Sequence, residues 1–600
     1  MSTPDDPVSQ AIQKSRIIIH TVREIDLKFE IPDLLNAFCT LLEVLNRIEN
    51  QHDMILDILS LGMDSLQAMG RIREKYKSLG EYSIPARSRT DLSPIPLLHC
   101  LEFTLKYLVD LKKVLDEARK NDKQQDLVLD LELYTLRLHK CSSYIPLAAT
   151  VKKTDLFARK KEDPSWDELV EFVKVKKIAD PEILEESFEK ASKVIKIVYA
   201  LAKTIENNKD LRSVSNILPL IQYSSSMTKT KKMAQLFMLD PNERVIEIFN
   251  LLEVGILKQI NSMLFPSIAY CKKIYLESKY PSITQQFIDR TLDREIWRRP
   301  ELDIFENLVM DLNESKAFDK LQKPAKTKIP VRILSATPLS TQSSSMEGPS
   351  EPLEGIIMHI HGGGFVGMSS SSHQLYTREW ANLTRKVIIS VDYRLAPQNT
   401  YPAALDDCWQ VYNWLVDNAE KVLGVKPTKI IITGDSVGGN LALSLCLLLI
   451  RSKRRIPDGL FLSYPDLNLQ LKHYTPSFLE ALEDPLFPIS FAPILRKSYA
   501  GHRYLESDPL VSPILGPNDV LKFLPPTRIA VGERDPLHDD CWRLVDKLRR
   551  LQVDVFMTVY KAMHHGYLNM ASAKAMPEAH ECVKDGAQIL LELFALGNNF

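Results

Sequence analysis

Glycine is nearly absent from residues 1–330, where only Gly62, Gly70, Gly80 and Gly255 occur, and the other 17 of the 21 follow. Because glycine supplies tight turns and close backbone approach, a stretch this poor in it favours long helices with short connections. Periodicity agrees. Leu34, Phe38, Leu41, Leu45 and Ile48 step by 4, 3, 4, 3, and Leu101, Leu105, Leu108, Leu111 and Leu115 by 4, 3, 3, 4, so each set forms one face of a helix. Residues 1–320 are therefore expected to be an all-helical amino-terminal domain with these stripes as bundle core. They carry no internal repeat and no catalytic motif.

From about residue 325 short β-branched runs alternate with Gly/Pro clusters and helical patterns. Ile356–Ile360, Val387–Val391, Lys429–Thr433, Gly459–Ser463, Thr527–Val531 and Val553–Val559 each read as a strand, which predicts a mostly parallel α/β sheet. The Ser/Pro-rich segment from Thr337 to Pro352 reads as a loop, and Val331–Leu334 before it as a first strand. The boundary is accordingly set near residue 320, with residues 321–600 as the second domain.

Lys+Arg 76 against Asp+Glu 77 leaves a net charge of -1 and no global positive field, so nucleic acid is not an expected partner. The segment from Met1 to Pro7 lacks the basic and apolar regions of a secretory signal, and the longest strongly apolar run, Leu441–Ile450, is half the ~20 residues a membrane helix needs. A cytoplasmic location is the expectation. The eight cysteines are scattered without a Cys-x-x-Cys pair and read as reduced core thiols, so neither metal nor cofactor is expected.

The chemistry lies in the second half. Gly434-Asp435-Ser436-Val437-Gly438 follows one expected strand and precedes a helix beginning near Gly439 or Asn440, the setting of a nucleophile elbow. An attacking hydroxyl needs donors for the oxygen that becomes negative. The run His361-Gly362-Gly363-Gly364-Phe365 after Ile356–Ile360 offers them, with the N–H groups of Gly363, Gly364 and Val437 as an oxyanion hole. The base should be a histidine, and in the α/β-hydrolase arrangement the chain order is serine, acid, histidine. That order selects Met563-His564-His565-Gly566, where His565 directly precedes a glycine that lets the loop bend over the elbow. His564 is read as its neighbour, His359 and His361 as strand-end or loop residues, and His139 as a helix-face residue. For the acid, Glu533, Asp535, Asp539 and Asp540 compete after Thr527–Val531. Asp535 is chosen because it sits in the turn before Pro536, whereas Asp539 and Asp540 suit a helix start.

These motifs, together with Asp392-Tyr-Arg-Leu-Ala-Pro397 and Tyr401-Pro-Ala403, resemble the hormone-sensitive lipase family of α/β-hydrolases over about residues 325–600. The resemblance implies an intracellular neutral acylglycerol and cholesteryl ester hydrolase with Ser436, Asp535 and His565 as its triad. Three features depart from the family. Val437 stands where alanine is usual, Gln398 where glutamate is common, and only six residues separate Ala500 from Ser507, where animal members carry a long phosphorylated insertion. Hormonal control through that insertion is not expected.

The competing readings are a carboxylesterase or deacetylase for smaller esters or amides, and a non-catalytic lipid-binding protein on the same scaffold. The partners the lipase reading calls for are a lipid ester at a lipid-droplet or membrane surface, a second copy in a homodimer, and a fatty-acid-binding carrier. Pro476–Tyr499, rich in Phe and Leu, is expected to line an acyl pocket. The helical half is expected to govern interfaces, so its removal should impair emulsified substrates more than soluble ones.

Overall fold

The computed structural model describes residues 124–149, 170–204, 227–251, 262–277, 328–339, 353–471, 475–501, 508–571 and 576–596, plus isolated positions nearby. The two leucine-rich stripes and the expected boundary at residue 320 lie outside the described residues. Among the described residues nine strands form one sheet: β1 (Val173–Lys176), β2 (Tyr270–Glu277), β3 (Lys328–Ser335), β4 (Leu353–Ile360), β5 (Val387–Val391), β6 (Val425–Asp435), β7 (Gly459–Ser463), β8 (Thr527–Gly532) and β9 (Val555–Tyr560). Their order is β1-β9-β8-β7-β6-β4-β5-β3-β2, and every neighbouring pair is parallel except those involving the reversed strand β3.

The central strands were legible because helices cover both faces. Every residue of β5, β7 and β8 is buried, which produces continuous apolar runs instead of alternation. The helices among the described residues include α1 (Gln124–Ala149), α2 (Pro181–Ala191), α3 (Lys193–Thr204), α4 (Met227–Leu239), α5 (Arg244–Leu251), α6 (Gln374–Thr384), α7 (Ala403–Leu423), α8 (Val437–Arg451), α9 (Pro476–Glu480), α10 (Ala492–Ala500), α11 (Asn518–Leu521), α12 (His538–Arg550) and α13 (Pro577–Ala595). The apolar run Leu441–Leu449 is buried along α8, so its hydrophobicity is spent on the core. Among the described residues no helix is long and apolar enough to cross a membrane.

The expectation of an all-helical first half requires correction. β1 adds to the sheet beside β9, with Val173 opposite Met557, and Lys176 Nζ reaches Asp585 at 2.5 Å. β2 closes the other edge against β3 over eight residue pairs. Both are edge strands with a largely exposed face, so lysines interrupt them and neither shows an apolar run. Residues before 320 thus complete the sheet at both ends.

Candidate active site

β6 ends at Asp435 and α8 begins at Val437, leaving Ser436 alone in the turn with φ 53° and ψ −122°. The helix starts two residues before Gly439, the earlier of the two expected starts. A non-glycine residue holds this conformation only where surrounding structure enforces it. Here the enforcement is packing: a Cβ on Gly434 would lie 2.4 Å from the carbonyl oxygen of Gly438, and one on Gly438 would lie 2.1 Å from that of Ile360. Val437 is the first residue of α8, where backbone N–H groups have no acceptor within the helix.

Ser436, His565 and Asp535 come together as the chain order requires. His565 Nε2 lies 3.1 Å from Ser436 Oγ, and its Nδ1 lies 2.8 Å from Asp535 Oδ2. Asp535 is fully buried after β8, and its Oδ1 accepts the Leu537 N–H at 2.8 Å. Burial alone would hold the imidazole neutral. The charge and hydrogen bond of Asp535, with Asp484 and Asp435 farther off, outweigh it and raise the pKa of His565 above its ordinary value. The rings of Tyr464 and Phe487 flank the imidazole at 4.9 and 5.0 Å.

The competing acids are committed elsewhere. Glu533 accepts the Ala562 N–H, Asp539 the Ser477 N–H, and Asp540 pairs with His473 and Arg543, the two aspartates standing in the first turn of α12 as expected. His564 turns away from the serine, with Nδ1 3.2 Å from Asp484 and its ring against Phe188.

Gly363 and Gly364 follow β4 with φ 108° and 62°, and the Gly363 carbonyl accepts the N–H groups of Val366 and Gly367 in a tight turn. Both glycines line the same cavity as Ser436 and His565. The loop is anchored by Asp435, a residue with no role in the motif reading. Asp435 Oδ1 accepts the Gly362 N–H and the Tyr376 hydroxyl, each at 2.9 Å, and Oδ2 lies 3.4 Å from His373 Nε2. Burial opposes ionisation of Asp435, but His373, His359 and Tyr376 more than compensate and hold its carboxyl well below the usual range. Asp435 occupies a variable slot of the elbow motif, so only its buried surroundings reveal it.

The cavity measures about 310 Å³ and is mainly apolar. Its walls come from Val194, Ile195, Val198 and Tyr199 of α3, Ile248 and Phe249 of α5, and Leu264, all before residue 320. Of the expected pocket segment Pro476–Tyr499, Leu486 and Phe487 line the cavity. Phe478, Leu479, Leu482, Ile489, Phe491 and Leu495 are instead core residues, with Phe491 packed on Tyr199 and Phe237.

A family model described as the alpha/beta hydrolase fold matches residues 357–569. An esterase of Acinetobacter venetianus is 37% identical over 238 residues, covering 40% of this chain and 75% of that protein. A hormone-sensitive lipase of Ictidomys tridecemlineatus is 37% identical over 191 residues, covering 32% of this chain and 24% of the lipase. The chain belongs to the hormone-sensitive-lipase-like α/β-hydrolases. An esterase of Mycobacterium tuberculosis is 31% identical over 247 residues, covering 40% of this hydrolase and 72% of the esterase. Four hormone-sensitive lipases are each matched over only 13 to 24% of their own length. Fold, elbow and these relatives together make it a carboxylic ester hydrolase of the serine type.

Proposed function

We propose that the hydrolase is a neutral lipase that cleaves acylglycerols, and cholesteryl esters with them, through an acyl-enzyme on Ser436. His565 takes the proton from Ser436 Oγ as the oxygen attacks the ester carbonyl, and Asp535 keeps Nδ1–H donating while it stabilises the imidazolium. The N–H groups of Gly363, Gly364 and Val437 receive the negative oxygen of the tetrahedral intermediate. His565 then protonates the leaving alkoxide, and the same steps with water release the fatty acid.

The observation that carries this reading is a continuous hydrogen-bonded chain, Ser436 to His565 to Asp535, opening into an apolar cavity. Apolar walls suit an acyl chain, whose burial contributes about 0.8 kcal/mol per methylene. In this proposal the protein is cytoplasmic and reaches its substrate at a lipid-droplet surface, with residues 1–320 supplying both cavity wall and docking surface. The second reading is a carboxylesterase for short esters, which the two bacterial esterases favour because this chain covers 75% and 72% of them.

Ser436→Ala tests the chemistry. Hydrolysis of a p-nitrophenyl ester and labelling by a fluorophosphonate should both vanish while the melting temperature holds, since a hydroxyl in a strained turn contributes little to stability. A variant that kept a tenth of wild-type turnover would refute the assignment.

A further inference from the structure

Two consecutive carboxylates in the turn after α9 reach toward different parts of the molecule. Glu483 accepts Nε and Nη2 of Arg137 at 2.5 and 2.9 Å and Nε2 of Gln235 at 2.7 Å, which ties it to α1 and α4. The Arg137 guanidinium also lies over the rings of Tyr134 and Tyr107, at 4.8 and 5.4 Å. Asp484 is buried. Its Oδ1 accepts the N–H groups of Leu486 and Phe487 at 2.9 and 2.8 Å, which shapes the cavity wall. Its Oδ2 accepts the backbone N–H of His565 at 3.2 Å and lies 3.2 Å from His564 Nδ1.

We propose that Glu483 and Asp484 are positioning residues: through them α1 and α4, which precede residue 320, hold the backbone of His565 at its reach from Ser436. The proposal rests on the reading of His565 as the base for Ser436. A buried carboxylate costs several kcal/mol unless its lone pairs are filled, and Asp484 fills them with two wall N–H groups and the histidine loop. Asp535 already holds the ring at Nδ1, so what Asp484 adds is the position of the backbone. A misplacement of 1 Å at such a site can cost a factor of about 100.

The charge of Asp484 also bears on His565. The other carboxylates acting on His565 are Asp535 and Asp435, and the imidazole in turn acts on Asp466, which pairs with Arg496. Asp484 itself faces His564, His565 and the Tyr199 hydroxyl, and His564 Nε2 faces Glu185, which pairs with Arg534. Each neighbouring carboxylate favours the imidazolium. Replacing Asp484 by a neutral isostere should therefore let the neutral base persist to lower pH.

The test measures hydrolysis of p-nitrophenyl butyrate across pH by the full chain, with thermal melting to verify folding. Asp484→Asn should lower kcat about tenfold with KM within twofold, and move the acid limb to lower pH. Arg137→Met should lower kcat in the same sense, Arg137→Lys should restore part of it, and the Arg137→Met/Asp484→Asn double variant should lose less than the product of the two effects. Folded variants with wild-type kcat and acid limb, or with the loss confined to KM, would overturn the positioning role. If Asp484→Asn does not fold, the two Arg137 variants decide. Ser436→Ala run alongside keeps the outcomes apart: its activity would refute the underlying reading, its inactivity would leave the positioning role to be judged by the other variants.

Discussion

Gly438 and Ile360 touch so closely that a Cβ on the glycine would stand 2.1 Å from the isoleucine's carbonyl oxygen. Ile360 ends β4 and leads into Gly362–Gly364, while Gly438 is the second residue of α8. The two halves of the proposed oxyanion hole are therefore held against each other at this contact. Gly438→Ala has no flexible side chain to displace, only backbone, and should cost about 1–3 kcal/mol or more of stability. Separated donors should also lower kcat by about 10²–10³ with a smaller change in KM. Steady-state kinetics with a melting curve checks this, and an unchanged kcat would break the link between contact and donor geometry.

The pH dependence follows from His565. Catalysis needs the neutral imidazole, and Asp535 raises the pKa of His565 above the ordinary 6.5. Activity should thus fall as pH drops through a midpoint above that value, with the acid limb of kcat/KM reporting the free enzyme. Asp535→Asn removes the largest favourable charge and the acceptor that fixes the tautomer. Turnover should drop by about 10⁴-fold, and any residual acid limb should move to lower pH. A profile flat from pH 5 to 8, with chemistry rate-limiting, would count against His565.

The cavity wall predicts acyl selectivity. Val198 is buried on α3 and lines the cavity, so Val198→Phe should fill space there while leaving the hydrogen-bonded chain alone. Pocket size of this kind discriminates by roughly 10–200-fold. Decanoyl esters should lose at least about tenfold relative to butyryl esters in a chain-length panel. Equal losses at all lengths would show that the acyl chain lies elsewhere, and a wild-type optimum at acetyl with none left by octanoyl would favour the short-ester reading.

The candidate site was more legible than the fold around it. Ser436, Gly363 and Gly364 announce themselves because their local backbone demands particular residues, and chain order then selects Asp535 and His565. β1 and β2 escaped because an edge strand with lysines on its open face has no apolar run. α3 illustrates a second limit. Its amphipathic pattern implies a buried face, but no spacing rule says that Val194 and Val198 border a cavity while Ala200 and Ala202 enter the core. Asp435 and Asp484 remained silent for a third reason: a carboxylate reads as surface until its donors, Gly362 N–H or His565 N–H, are seen around it.

The role expected for the first 320 residues changes most, and truncation separates its parts. Had they been a detachable helical domain, their loss would have spared a soluble short ester. The structure puts β1 and β2 in the sheet, α3 and α5 in the cavity wall, and Arg137 of α1 on Glu483. Deletion of residues 1–320 should therefore abolish hydrolysis of p-nitrophenyl butyrate as well as of emulsified triolein, and the fragment should expose the faces these elements cover. Deletion of residues 1–100 removes none of the elements described and should keep at least about half of the soluble-ester activity, since no hydrogen bond of the Ser436–His565–Asp535 chain is touched. If residues 1–100 serve docking, that shorter deletion should lower triolein hydrolysis several-fold more than butyrate hydrolysis. Equal retention of both activities would move the docking surface into residues 101–320, and equal loss in a folded protein would make the first hundred residues part of the support for the site.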